Sequence, residues 1–316
     1  MDKIFHGNRA LDLTDHRGWL SGRILADLGV DVVKIEPPGG DPGRLCGAFY
    51  GDEVNPERSL HWFAGNLGKR GITLNLETPD GKEILKKLVK TSDFLLESFP
   101  PGYLQKLGLA YSDLKEINPG VIMVSLSPFG QTGPYHDYKA TDIVAMAMGG
   151  FMYVTGDPDR APLRISFPLA FALASAQAVA GALIAFHHRQ NTGKGQHVDV
   201  SAQETVTSTL ANVMPTLELN NIVTRRVGPL FFRGGIGQEA HQRVIWACRD
   251  GAIAFMAMGG LAGARSNRAL VKWMDEEGMA PEWLLHYDWE RGFDTTRFTQ
   301  EEVNQVEKPF IEFFRT

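Results

Sequence analysis

Short apolar runs alternate with amphipathic stretches along the first 130 residues. Residues 10–13, 30–35, 72–76, 94–99 and 121–126 read as buried strands, each four to six residues long and rich in Val, Ile, Leu or Phe. Residues 19–28 read as a helix stopped by Gly29. Thr78-Pro79-Asp80 opens another: a threonine cap, a proline in the first turn and an acid at the positive end of the helix dipole. That helix runs to about Lys90, with Ile84, Leu85, Leu88 and Val89 on one face. Such a rhythm predicts an α/β fold, a largely parallel sheet covered by helices in a Rossmann-like layer arrangement.

The pattern then changes. Residues 142–152 and 168–188 read as long, well-buried helices. The stretch 168–186 has the length to cross a bilayer. It is rich in Ala, interrupted by Ser175 and Gln177, and followed by His187, His188 and Arg189, so it is assigned to a protein core rather than a membrane. Residues 197–200 form a strand, and Ser201 caps the helix after it. A hairpin is expected over 244–256, turning on Arg249-Asp250-Gly251, and an amphipathic helix over 263–277, ended by Gly278. The helical pattern of 301–314 meets no stop signal before Thr316, and the chain is expected to be incomplete at this end. A soft boundary near 225 divides a first domain, 1–225, from a smaller α+β domain, 226–316.

Composition narrows the function. The 316 residues, 43% of them hydrophobic, are enough for two packed domains. A net charge of −5 with no dominant Lys/Arg block argues against nucleic acid, so an anionic ligand would be met by a few local basic groups. Cys46 and Cys248 lie far apart with no CxxC, which argues against a disulfide framework or a structural zinc and fits a reducing cytoplasm. The N-terminal MDKIFHGNRALDL has no apolar leader core. There is no GxSxG, no HExxH and no metal-ligand spacing, and no GxGxxG opens a helix.

Four segments carry candidate chemistry. Lys34 sits at a strand end before the stiff Pro37-Pro38-Gly39-Gly40 turn, at the sheet edge where open α/β folds bind ligands; a solvated lysine on a rigid turn is the plainer alternative. Asn66, Gly68, Lys69 and Arg70 precede the next strand and offer close backbone approach and positive charge to a phosphate, or form a simple turn. Ser98 and Phe99 lie at another strand end, where Phe99 either stacks on a purine or fills the core. Gly130 and Gln131 make a plausible wall for a thioester, and Asp142 either joins that wall or caps the helix it opens.

Taken together and in order, LADLGVDVVKIEPPGGDPGR, NLGKRGITLNLETPDGKEILKKLVKTSDFLLESFPPGYLQKLGL, INPGVIMVSLSPFGQTGPY and RQNTGKGQHVDVS resemble the class III CoA-transferases. That family includes formyl-CoA transferase, carnitine CoA-transferase and the α-methylacyl-CoA racemases. The resemblance is strong over residues 11–206 and weak beyond them. It implies a CoA-binding Rossmann-like domain plus a smaller one, in longer chains that interlock as ring-like dimers. It also implies acyl-CoA and a carboxylic acid as substrates, with no permanently bound cofactor and no metal. By position, Lys34, Asn66, Lys69, Ser98 and Phe99 would line the CoA site, with Gly130, Gln131 and Asp142 near the acyl group.

In this family an aspartate attacks the acyl-CoA carbonyl, the thiolate leaves, and the acceptor acid finally takes the CoA. Counting back from Thr192-Gly193-Lys194-Gly195-Gln196 places that aspartate at Phe171, and no Asp or Glu lies between Asp159 and Asp199. The racemases' His–Asp pair reads Thr141-Asp142 here, and the family's Ala-Gly-Pro turn reads Arg17-Gly18-Trp19. Relatives often carry Asn and Arg at the positions of Ser98 and Pro100. Three readings follow. One is a subunit lacking its own nucleophile, like the non-catalytic partner in benzylsuccinate CoA-transferase-type pairs, as a heterodimer with a homologous catalytic chain. Another is a homomeric acyl-CoA enzyme using Asp142 or Glu204. The third is a non-catalytic acyl-CoA-binding paralogue.

Overall fold

A computed structural model describes residues 4–235, 238–294 and 297–316. Six strands form one sheet: β1 (Arg9–Leu13), β2 (Asp31–Glu36), β3 (Arg70–Thr73), β4 (Phe94–Glu97), β5 (Ile122–Ser127) and β6 (His197–Ser201). Their order is β3-β2-β1-β4-β5-β6 and every neighbouring pair is parallel. This is the doubly wound order, and the chain reverses its direction of travel across the sheet between β1 and β4. The central strands read as continuous buried runs because helices cover both faces. In that apolar setting one residue stands out: Asp12 of β1, fully buried and in register with Lys34 of β2.

Eight helices accompany the sheet: α1 (Trp19–Leu28), α2 (Leu60–Asn66), α3 (Pro79–Val89), α4 (Tyr103–Lys106), α5 (Tyr111–Ile117), α6 (Asp142–Met148), α7 (Leu169–Thr192) and α8 (Ala202–Ser208). The expected signals act where they were read. Gly29 ends α1 in a left-handed conformation at φ 107°, Thr78 accepts the Gly81 amide at 3.2 Å to cap α3, and Ser201 accepts the Glu204 amide at 3.2 Å to cap α8. One face of α3 supplies Leu85 and Val89 to the core between helix layer and sheet, where they meet Leu11, Val33 and Leu95.

Helix α7, expected to be well buried, is buried along one side only. Its buried residues are Ala170, Phe171, Ala174, Ser175, Ala178, Val179, Ala182 and Ala185, a single stripe at helical spacing. Small side chains let that stripe lie close against α1, α6, α8, β5 and β6. Away from the stripe Ile184 is 71% exposed. The helix is long and apolar enough to cross a membrane, yet here it packs on the sheet.

The chain divides into two compact units, Met1–Phe151 with Ile165–Thr209, and Met152–Arg164 with Leu210–Thr316. The division differs from a single cut near 225, because residues 152–164 leave the first unit and pack with the second. There Gly228 donates to the Gly156 carbonyl at 3.0 Å and Arg226 donates to the Tyr153 carbonyl at 3.1 Å. The second unit contains α9 (Val213–Asn220), β7 (Leu230–Gly235), β8 (Gln238–Arg243), β9 (Ile245–Cys248), β10 (Gly251–Ala254), α10 (Gly260–Glu276), α11 (Glu282–Leu285) and α12 (Gln300–Phe314). β7 with β8, and β9 with β10, form antiparallel hairpins. An aromatic core of Trp246, Trp289, Phe293 and Phe310 joins them to α10 and α12.

Candidate functional site

The reversal point of the sheet opens into a crevice of about 300 Å³ at the C-terminal ends of β1, β2 and β4. Leu13, Ile35, Leu74 and Leu76 give it an apolar floor, and Phe99 and Tyr103 form one wall with their rings 4.7 Å apart. Asp15, Glu36 and Glu77 supply polar edges. Tyr103 donates to Glu77, and Arg44 holds Glu36 with two bonds of 2.6 and 2.8 Å.

The turn between β1 and α1 is fastened to the end of β4. The Asp15 amide donates to Ser98 Oγ at 2.9 Å, and Ser98 Oγ donates to Asp15 Oδ1 at 3.0 Å. Arg17 grips the Asp15 carboxylate through Nε and Nη2, and Nη2 also donates to the Ser98 carbonyl at 2.6 Å. Burial pushes the Asp15 carboxyl up, but the Arg17 bonds and charge outweigh it and hold the group below the usual carboxylate range. Ser98 therefore fixes the mouth of the crevice with its hydroxyl already occupied. Asp15 and Arg17 were not singled out from sequence; the break in the family turn at Arg17 was the available signal.

Lys69, expected to meet phosphate, and Lys34, expected at the ligand-binding edge, both turn inward. Lys69 Nζ donates to Asp12 Oδ2 at 2.7 Å, to the Trp19 carbonyl at 2.7 Å and to Asn66 Oδ1 at 2.8 Å, and its side chain is 1% exposed. Lys34 Nζ donates to the Thr14 carbonyl and stands 3.7 Å from both Asp12 and Asp41. It reaches the crevice lining, but its charge is balanced within the protein. Asn66 returns its amide to the Trp62 carbonyl at 3.1 Å. These three residues form a closed polar network centred on Asp12. Burial pushes the Asp12 carboxyl up; the ammonium groups of Lys69 and Lys34, with bonds from Lys69 and Thr14, more than reverse this and keep it ionised. Helix α1 approaches so closely that a Cβ at Gly22 would lie 2.2 Å from Asp12 Oδ2, so glycine is required there. The physical reason for the inward turn is the buried carboxylate on β1, which needs cations more than solvent does.

A different cleft, of about 400 Å³, lies beside the Gly130 loop and is lined by Phe129, Tyr135, Asp199 and Gln203. Gly130 has φ +85°, and the next amide, that of Gln131, donates to Asp199 Oδ2 at 2.8 Å. Exposed Glu204 stands at this cleft. Asp142 does not face it: buried, it accepts the Ala170 amide at 2.8 Å and so satisfies the first turn of α7. Phe171 follows directly and is 5% exposed. One turn further, Ser175 donates to the Arg17 carbonyl at 3.2 Å, so the face of α7 that carries residues 171 and 175 is turned to the crevice's β1–α1 turn.

Fold and site thus define a doubly wound α/β protein whose switch-point crevice lies beside the start of a long apolar helix. The chain belongs to CoA-transferase family III, whose family model matches residues 5–304. It is 34% identical over 302 residues to succinyl-CoA:(R)-benzylsuccinate CoA-transferase subunit BbsE of Thauera aromatica, covering 96% of this chain and 71% of that one. It is 41% identical over 212 residues to succinyl-CoA–D-citramalate CoA-transferase of Chloroflexus aurantiacus, covering 67% of this chain but only 52% of the relative. Among solved structures, a CAIB/BAIF family protein from Brucella suis superposes with a TM-score of 0.75 at 29% identity, over 98% of this chain and 82% of that one.

Proposed function

We propose that the chain binds a CoA thioester in the β1–β4 crevice and serves as the nucleophile-lacking subunit of a CoA-transferase acting between an acyl-CoA and a carboxylic acid. The observation that carries this reading is Phe171 in the first turn of α7, with no Asp or Glu from residue 160 to residue 198. An anhydride intermediate needs a carboxylate at the acyl carbon, and a phenyl ring has no lone pair to attack with. A homologous partner chain, interlocked with this one in the cytoplasm, supplies the carboxylate. BbsE, similar over nearly the whole of this chain, is itself named as a subunit.

Within the crevice, Phe99 and Tyr103 offer an aromatic wall to the adenine, and Ser98 holds the edge in shape. Lys34, Lys69 and Asn66 support the site from beneath rather than as free phosphate ligands. Gly130 bounds the second cleft, Gln131 turns to a separate cleft over β4–β6, and Asp142 sets the start of α7. CoA enters as substrate, and no resident cofactor or metal takes part.

The test is purification from the native source followed by single-chain assays. A second family member carrying the aspartate should co-purify. The homogeneous chain should bind CoA and not NAD in calorimetry, should exchange no CoA between acyl-CoA and free acid, and should yield no acyl adduct to hydroxylamine. Robust transfer by the single chain, with an adduct mapped to Asp142 or Glu204, overturns the reading.

A further inference from the structure

A third cleft, of about 340 Å³, lies over β4, β5 and β6 and shares no lining residue with the crevice. Parallel register pairs Glu97 with Ser125 and Met123 with His197, so the two-residue period of β5 brings Glu97, Ser125 and His197 onto one face of the sheet. Ser125 is the cross-strand partner of Glu97, with both side chains on the same face of the sheet, and its Oγ stands 2.8 Å from His197 Nε2. Glu97 and Ser125 are 4% and 1% exposed, whereas His197 is exposed, its ring stacked on Tyr111 at 5.5 Å. The chain of contacts therefore runs from a buried carboxyl, through one hydroxyl, to an imidazole on the cleft wall.

We propose that Glu97, Ser125 and His197 form a proton-coupled hydrogen-bond chain that sets which imidazole tautomer His197 presents to this cleft. A hydroxyl has one proton to give. When Glu97 is neutral, its O–H donates to Ser125 Oγ, Ser125 donates to His197 Nε2, and the ring carries its proton on Nδ1. When Glu97 ionises, its proton passes to Ser125 Oγ, the Ser125 proton passes to Nε2, and the Nδ1 proton leaves to water. One proton is lost overall, and the ring ends neutral with its proton on Nε2. The nitrogen available to the cleft, Nδ1, changes from donor to acceptor.

The charges around the chain place this change near neutrality. Burial pushes Glu97 up to about 7, and Asp199 on β6 adds to the rise. Bonds from Ser125 and the Phe99 amide, the latter at 2.7 Å, and the charge of Arg17 in the β1–α1 turn oppose it. Desolvation of the ring where it stacks on Tyr111 lowers His197, with the Asp199 charge opposing, and this favours the neutral imidazole. Tyr111, from α5, is held protonated by burial. Gln131 adds a buried Nε2 with no protein partner to the same cleft. Below the switch the cleft therefore offers two N–H donors to a carbonyl or carboxyl oxygen; above it the imidazole offers a lone pair instead.

The experiment is ¹⁵N imidazole NMR of the full chain between about pH 6 and about pH 8, since the two neutral tautomers have distinct nitrogen shifts. His197 should pass from the Nδ1–H to the Nε2–H form with a midpoint near that of Glu97. Glu97→Gln should hold the Nδ1–H form throughout, because its amide donates to Ser125 at every pH. Ser125→Ala should uncouple the ring from Glu97. A single His197 tautomer across the range in the wild type, or an unchanged switch in Glu97→Gln, overturns the proposal.

Discussion

Lys69→Met separates a structural role from a ligand role for the residue that looks most like a phosphate contact. The substitution keeps the length and apolar stem of the side chain and removes the ammonium. Three bonds of 2.7–2.8 Å vanish, and Asp12, fully buried, keeps only its Thr14 bonds and the more distant Lys34. Breaking one side of a buried ion pair costs about 3–5 kcal/mol. In a unit of this size that corresponds to a fall in Tm of about 6–20 °C. The assay is urea unfolding followed by tryptophan fluorescence. Buried Trp19 reports locally, since its carbonyl is one of the lost acceptors and its ring stands 5.0 Å from that of Trp62. The deficit should shrink as the pH is lowered, because a protonated Asp12 no longer buries an unpaired charge. Asp12→Asn in the same chain should recover part of it for the same reason. A phosphate ligand behaves in the opposite way: affinity for CoA falls by about 1–3 kcal/mol while folding is untouched. A stability change under about 1 kcal/mol together with weakened CoA binding would refute the buried-network account.

Other substitutions test neighbouring claims. Glu97→Gln should stabilise the protein more at pH 8 than at pH 5. A carboxyl raised by burial to about 7 loses stability as the pH climbs from its unfolded value toward 7, by at most about 3 kcal/mol; equal effects at both pH values in denaturant titrations would contradict this. Asp142→Ala should cost about 1 kcal/mol by releasing the Ala170 amide at the start of α7, read as a shift in denaturation midpoint. Gly195→Ala should destabilise by about 2–3 kcal/mol or more, since its Cβ would lie 1.9 Å from the Val121 carbonyl; a normal Tm for this variant would show that the loop has room.

Much of the first unit was legible along the chain. Short continuous apolar runs located the sheet strands except for their ends and for the burial of β3: it runs from Arg70 to Thr73 with all four residues exposed, and the buried Leu74 and Leu76 lie beyond it. Cap chemistry located α1, α3 and α8 because capping is a matter of three or four consecutive residues. The ordered family motifs led to a family that the comparisons establish. Helices α2 and α9 went unread, both short and without a clear apolar face, as did the β7–β8 hairpin.

What sequence alone determined was thus local or collective: where elements begin, which face of α3 is apolar, which family the motif set belongs to, and that position 171 is a phenylalanine. What tertiary structure decided was direction. Lys69 and Asp12 are 57 residues apart, and nothing in an Asn-Leu-Gly-Lys loop says whether its lysine faces a ligand or a buried carboxylate. Asp142 could have lined a cleft until the start of α7 arrived 28 residues later to take its oxygen. Glu97, unremarked at a strand end, gained its perturbed acidity only when the fold buried it and when β5 and β6, added beside β4, brought Ser125 and Asp199 near it. Periodicity records how a residue sits on its own element; the charge it meets is set by strands and helices brought beside it by the fold, and that pairing has no local signature.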